Sequence, residues 1–148
     1  MLEQNTKAPN FALPDQDGTA RALSDFLGSY VLVYFYPKDD TPGCTKEACM
    51  IAEAYGDFEK MGVAVLGISS DTSESHKKFR AKYGLPFTLL SDPKKETIGA
   101  YGAKNAAGST KRISYLVGKD GTILKVYPKV DPANHALHIL KDVADIAK

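Results

Sequence analysis

The residues able to do chemistry converge on one stretch, Pro37-Lys38-Asp39-Asp40-Thr41-Pro42-Gly43-Cys44-Thr45-Lys46-Glu47-Ala48-Cys49, which holds the two cysteines of the sequence. Two thiols are too few for a secreted disulfide framework, and in a reducing compartment a close pair is more often catalytic. The nucleophile of cysteine chemistry is the thiolate, and a free thiol is mostly protonated at neutral pH unless its surroundings favour the anion. Residues 38 to 43 are rich in turn formers. After them Ala48, Ile51, Ala52, Tyr55 and Phe58 recur at helical spacing, which predicts one helix over Cys44 to Lys60. Cys44 then faces free backbone N–H groups and the positive end of the helix dipole, an arrangement that favours a thiolate. The Thr41 hydroxyl can donate to that sulfur and accept from a bound O–H. Arg112, at the start of the run through Ile113, is a permanent cation with five donors that can serve the thiolate if the fold brings it near.

Each of these residues also has a plain structural reading. Cys49 alone on an apolar helix is a packing residue by type, Thr41-Pro42 an ordinary turn, and Arg112 an exposed strand-end charge. A zinc site using Cys44, Cys49 and a histidine is disfavoured, because CxxxxC is wider than common two-cysteine zinc knuckles. His135 and His138, one helical turn apart, are expected on a solvated face, as is His76 beside Lys77 and Lys78. No glycine-rich dinucleotide fingerprint follows a strand, and nothing calls for a flavin, haem or metal.

Several elements must position these residues. Leu13 to Ala22 reads as a short hairpin around Asp17-Gly18, and Tyr30 to Tyr36 is an unbroken apolar run suited to a strand buried on both faces. Val63 to Ile68 is a second buried strand, Ser73 to Tyr83 a helix, Phe87 to Leu90 a third strand and Glu96 to Tyr101 a short helix. Ile113 to Val117 and Thr122 to Tyr127 flank Gly118-Lys119-Asp120-Gly121 as an antiparallel hairpin. Pro132 to Ala147 closes as an amphipathic helix. A βαβ half followed by a ββα half predicts an α/β fold: one thioredoxin-like domain over residues 1 to 148, a mixed central sheet flanked by helices, with an N-terminal hairpin extension.

The bulk properties narrow the partners. A chain of 148 residues with 43% hydrophobic content can bury a core without staples, and a net charge of +1 gives no electrostatic reason to expect nucleic acid or an anionic membrane. No apolar run approaches the ~18 residues of a membrane span, and Met1 to Lys7 is polar, so a cytoplasmic protein is expected.

Pro37, Thr41 and Cys44 match the PxxxTxxC loop of the peroxiredoxins, and Cys44-Thr45-Lys46-Glu47-Ala48-Cys49 resembles the CTxEAC segment of the peroxiredoxin Q or bacterioferritin comigratory protein subgroup. The resemblance extends through Ala8 to Phe11, Gly67 to Asp71, Leu90 to Asp92 and Lys111 to Ser114. It implies an atypical two-cysteine thiol peroxidase that reduces hydrogen peroxide and organic hydroperoxides. Cys44 would be the peroxidatic cysteine, oxidised to a sulfenic acid, and Cys49 the resolving one, closing an intramolecular disulfide that thioredoxin or a similar dithiol reduces. Thr41 and Arg112 would position peroxide, Pro37 would shield the thiolate, and Glu47 would hold the arginine. It implies no cofactor, and a monomer. Relatives often carry bulkier aromatic or methionine residues where this chain has Gly102 to Thr110, so a more open or mobile substrate rim is expected. A thiol–disulfide transfer or chaperone-like binding protein on the same fold is the rival reading; CxxxxC in place of CxxC argues against it.

Overall fold

The computed structural model describes residues 1–147; Lys148 lies outside the described residues. A hairpin comes first, β1 (Ala12–Pro14) against β2 (Ala20–Ala22), where Gly18 at φ +81° makes a turn that a side chain would strain. The Asp15 carboxylate ties it together, accepting from the Asp17 and Thr19 N–H groups and from Arg21.

The main sheet contains β3 (Tyr30–Phe35), β4 (Val63–Ser69), β5 (Thr88–Ser91), β6 (Ile113–Val117) and β7 (Ile123–Tyr127) in the order β5-β4-β3-β6-β7. Strands β3, β4 and β5 run parallel, and β6 and β7 add antiparallel on the other side of β3. This is the mixed sheet expected from βαβ followed by ββα. Among the described residues five α-helices flank it: α1 (Pro42–Glu53), α2 (Tyr55–Lys60), α3 (Ser73–Tyr83), α4 (Glu96–Ala100) and α5 (His135–Ile146).

The alternation of β3 divides the core into two layers. Leu32, Tyr34 and Tyr36 pack with Cys44, Ala48 and Ile51 of α1, Phe58 of α2 and Ile139 and Val143 of α5. Val31, Val33 and Phe35 pack on the opposite face with Ile98, Tyr101, Tyr115 and the N-terminal Phe11 and Leu23. Gly67 of β4 is required by this packing. A Cβ there would come within 2.8 Å of the Tyr34 ring and 2.9 Å of Leu89.

Several expectations need correction. The predicted helix Cys44–Lys60 is two helices, broken at Ala54 (φ −91°, ψ 3°), with Gly56 weakening the second piece. The last helix starts at His135 rather than Pro132, because Asp131 draws residues 131 to 134 into a turn, accepting from the Ala133 N–H and the Asn134 side chain. His76 and His135 are buried, not solvated: His76 faces Asp39 and the Leu90 carbonyl, and His135 faces the Ser114 hydroxyl and the edge of the Tyr127 ring. His138 is exposed. Apart from these corrections, the segment from Gly102 to Thr110 carries its own local bonds: Lys104 bridges Thr110, Asn105 caps the Ala107 and Ser109 N–H groups, and Lys95 donates to the Gly108 carbonyl.

Candidate active site

Strand β3 ends at Phe35, and Pro37 starts a loop that delivers Thr41 to the N-cap of α1, with Pro42 in its first turn. Proline suits that position, since its missing N–H would have no helical partner anyway. Cys44 follows in the first turn, 2% exposed and therefore almost free of bulk water. Its neighbours on the helix, Ala48 and Ile51, anchor α1 to the sheet. Cys49 lies on the same helix, half-buried, and both thiols are free. Burial first, and then the Glu53 charge, hold the Cys49 thiol above its ordinary pKa, against a smaller opposing pull from Lys46.

Arg112 immediately precedes β6, whose Ile113 pairs with Phe35 at the end of β3. Its Nη2 donates to Cys44 Sγ at 3.4 Å and its Nη1 to Glu47 Oε1 at 3.0 Å. One guanidinium thus bridges two residues of the first turns of α1, the use for which its rigid fork is suited. Burial works against the Arg112 charge, but the Cys44 sulfur and the Glu47 carboxylate outweigh it, so the cation is held above its ordinary pKa. Glu47 is fully buried, and burial pushes its carboxyl up to about 7 against the opposing pull of Arg112. Its second oxygen, Oε2, has no hydrogen-bond partner among the described residues, nor has the buried Tyr34 hydroxyl.

Thr41 is half-buried, and its hydroxyl donates to the Lys38 carbonyl at 2.8 Å rather than to the sulfur. That leaves the oxygen as an acceptor. Pro37 is exposed at the loop's start. Of the six residues singled out in the sequence, Cys44, Glu47 and Cys49 lie on α1 with Thr41 at its N-cap, Pro37 lies on the loop before it, and Arg112 contacts both Cys44 and Glu47.

Sequence reasoning missed three features. Gly43 lies so close to Arg112 that a Cβ would come within 2.9 Å of Nη2. Asp39, a variable position inside the motif, is buried against Tyr36, Ser75 and His76. Tyr34 sits in the same apolar layer as Cys44. Only Gly43, flanking the cysteine, carried a local signal. The partners of Asp39 are up to 37 residues away, beyond any spacing argument. Asp39, Asp71 and His76 also bring metal-ligand-type atoms within 4.8 Å of one another, each already hydrogen-bonded to protein groups.

The family model of the AhpC/TSA family matches residues 5–126. The chain belongs to that family. It is 43% identical over 146 residues to the Coxiella burnetii protein named peroxiredoxin bcp, covering 94% of this chain and 97% of that one. It is 46% identical over 143 residues to chloroplastic peroxiredoxin Q of Sedum lineare, covering 95% of this chain and 77% of that one. Among solved structures, Xanthomonas campestris peroxiredoxin Q superposes with a TM-score of 0.88 at 34% identity over 93% of this chain and 92% of that one. Peroxidoxin BcpB of Mycobacterium tuberculosis gives 0.92 at 30% identity over 99% of both. The protein is a peroxiredoxin of the peroxiredoxin Q and bacterioferritin comigratory type, on the thioredoxin-like fold, and a thiol-dependent peroxidase. In this peroxiredoxin no helix among the described residues is long and apolar enough to cross a membrane.

Proposed function

We propose that Cys44 reduces hydrogen peroxide and alkyl hydroperoxides and that Cys49 resolves it through an intramolecular disulfide, recycled by thioredoxin or a similar dithiol protein in the cytoplasm. The observation that carries this reading is the Arg112 guanidinium donating to Cys44 Sγ at the first turn of α1. A cation beside the sulfur matches the charge of a thiolate and of the oxyanion that leaves it. The bacterioferritin comigratory protein of Xanthomonas campestris, whose structure this chain resembles, has alkyl peroxide reduction activity, which supports including that substrate class.

The Cys44 thiolate attacks one peroxide oxygen in line with the O–O bond. The S–O bond forms as the O–O bond breaks, and the departing oxygen leaves as alkoxide or hydroxide and takes up a proton, giving alcohol or water. Arg112 faces the developing negative charge. Thr41, with its proton held by the Lys38 carbonyl, accepts from the peroxide O–H and orients it. Pro37 and the apolar layer limit water at the sulfur. The Cys49 thiol then displaces water from the sulfenic acid to form the disulfide. An external dithiol returns both thiols, supplying the two electrons that the peroxide removed. The protein acts as a monomer in this cycle.

The test is steady-state NADPH consumption with thioredoxin, thioredoxin reductase and peroxide. The parent turns over and Cys44→Ser does not, while Cys49→Ser reacts once and stalls. Arg112→Ala and Thr41→Val slow the peroxide step at least a hundredfold. A Cys44→Ser protein that turns over at the parent rate would refute the assignment, and a parent that never turns over would point to thiol–disulfide transfer instead.

A further inference from the structure

The loop carrying Thr41 is not held by α1 alone. Asp39, 7% exposed, sits between β3 and α3 with every carboxylate oxygen in use. Tyr36 donates to its Oδ1 at 2.6 Å and Ser75 to its Oδ2 at 2.8 Å, while His76 Nδ1 lies 2.7 Å from Oδ2. The other ring nitrogen, Nε2, is 3.0 Å from the Leu90 carbonyl, which can only accept, so Nε2 carries a proton. His76 is thereby fixed at both ends, to β5 and to the loop.

The peptide unit between Lys38 and Asp39 is clamped from both sides. Its N–H, from Asp39, donates to Asp71 Oδ2 at 2.8 Å, and Asp71 is itself held by the Ser69 hydroxyl at 2.6 Å. Its C=O, from Lys38, accepts the Thr41 hydroxyl proton. A trans peptide is planar and points these two groups in opposite directions, so fixing the N–H fixes the direction in which Thr41 is held. The next residue, Asp40, at φ +57°, is tied to Lys82 and Tyr83 of α3.

We propose that Asp39 and His76 are positioning residues of the peroxide-reducing site, which set the Lys38–Asp39 peptide and through it present the Thr41 oxygen as an acceptor to peroxide. This rests on Cys44 being the attacking thiol. The pair touches neither substrate nor sulfur. It decides whether the hydroxyl that does meet substrate is aligned, and a misaligned reactant loses rate without loss of thiol.

The experiment compares two reactions of the same sulfur. Quenched-flow loss of the Cys44 thiol under peroxide reads alignment, and alkylation by iodoacetamide, which has no O–H to orient, reads access to the sulfur. The chain has no tryptophan, so the thiol itself is followed. Asp39→Ala is expected to slow the peroxide reaction at least tenfold while alkylation stays within threefold or rises. Asp39→Asn is expected to lose less peroxide rate than Asp39→Ala, because its side-chain oxygen still accepts from the Tyr36 hydroxyl and its amide can still donate to Ser75 Oγ. On a Thr41→Val background Asp39→Ala has no further effect. Should Asp39→Ala not fold, Ser75→Ala removes one of the same bonds, and a peroxide loss of at least threefold with unchanged alkylation is expected. A folded Asp39→Ala or Ser75→Ala protein with the parent's peroxide rate, or one in which both reactions fall together, overturns the proposal. A separate measurement of peroxide consumption by Cys44→Ser keeps the two readings apart: consumption by that variant would count against the assignment of the thiol, not against the loop.

Discussion

Glu47 holds the Arg112 guanidinium with one carboxylate oxygen at 3.0 Å and leaves the other buried with no hydrogen-bond partner among the described residues. Its pKa, raised by burial from 4.5 to about 7, has a consequence of definite sign. The folded protein takes up a proton that the unfolded chain gives up, so this group is most favourable to folding below pH 4.5, and that contribution is lost as pH rises to about 7. The loss is on the order of 3 kcal/mol. Glu47→Gln keeps the acceptor for Arg112 and removes the titration. Urea unfolding at pH 5 and pH 8 is expected to show the variant gaining on the parent at the higher pH; a gap independent of pH would show that Glu47 does not titrate in this window.

Gly43→Ala tests the geometry of the cation itself. The added Cβ would lie 2.9 Å from Arg112 Nη2, which must shift from Cys44 although neither charge is altered. Glycine in a helix interior is less favourable than alanine by about 1 kcal/mol, so helix stability should not suffer. The expected result is a peroxide step at least tenfold slower with an unfolding midpoint no lower than the parent's. An unchanged rate constant would mean that Arg112 relocates without consequence.

The Cys44–Cys49 disulfide demands a larger movement. Both cysteines lie within α1, and five residues along a helix place their Cα atoms roughly 8 to 9 Å apart. A disulfide needs about 4.4 to 6.8 Å, so the first turn must unwind before the bond forms. Amide exchange across residues 40 to 52 is expected to accelerate in the disulfide form, with lower helix content. Equal protection in both forms, with the bond verified by mass spectrometry, would rule out unwinding.

His135 makes the fold sensitive to acid. Burial first, and the neighbouring His138 second, lower its pKa from 6.5 to about 4, with Asp142 opposing. Its neutral form contributes fully above pH 6.5, and the contribution is lost as pH falls towards 4, about 3 kcal/mol in all. His135→Gln offers the Ser114 hydroxyl either an N–H or an oxygen and cannot titrate. Its stability should fall less than the parent's between pH 6.5 and pH 4, as read by denaturant midpoints; parallel curves would place the acid sensitivity elsewhere.

The strands and the cysteine helix were legible because their signals are local. An apolar run such as Tyr30–Tyr36 has few other uses, and the turn formers before Cys44 mark a helix start whatever follows. His76 and His135 were misread for the complementary reason. A histidine beside lysines looks solvated until the fold supplies Asp39 or Ser114, from 37 and 21 residues away. The break at Ala54 also escaped, since Ile51 and Phe58 keep helical spacing across it. Arg112 needed the family resemblance, because nothing in residues 44 to 49 points to a partner 68 positions on.

Gly67 lies on β4, and Tyr34, whose ring crosses it, belongs to the layer that supports Cys44. A strand with no chemistry of its own therefore restricts which mutations the lineage can accept. Even alanine at position 67 would force the Tyr34 ring or Leu89 aside, and through Tyr34 it would disturb the bed of α1, so selection for peroxide tolerance would act on a residue that never meets peroxide. In a library screened for survival under oxidant, depletion at position 67 would record a demand for empty space, which is easily mistaken for a demand for reactivity.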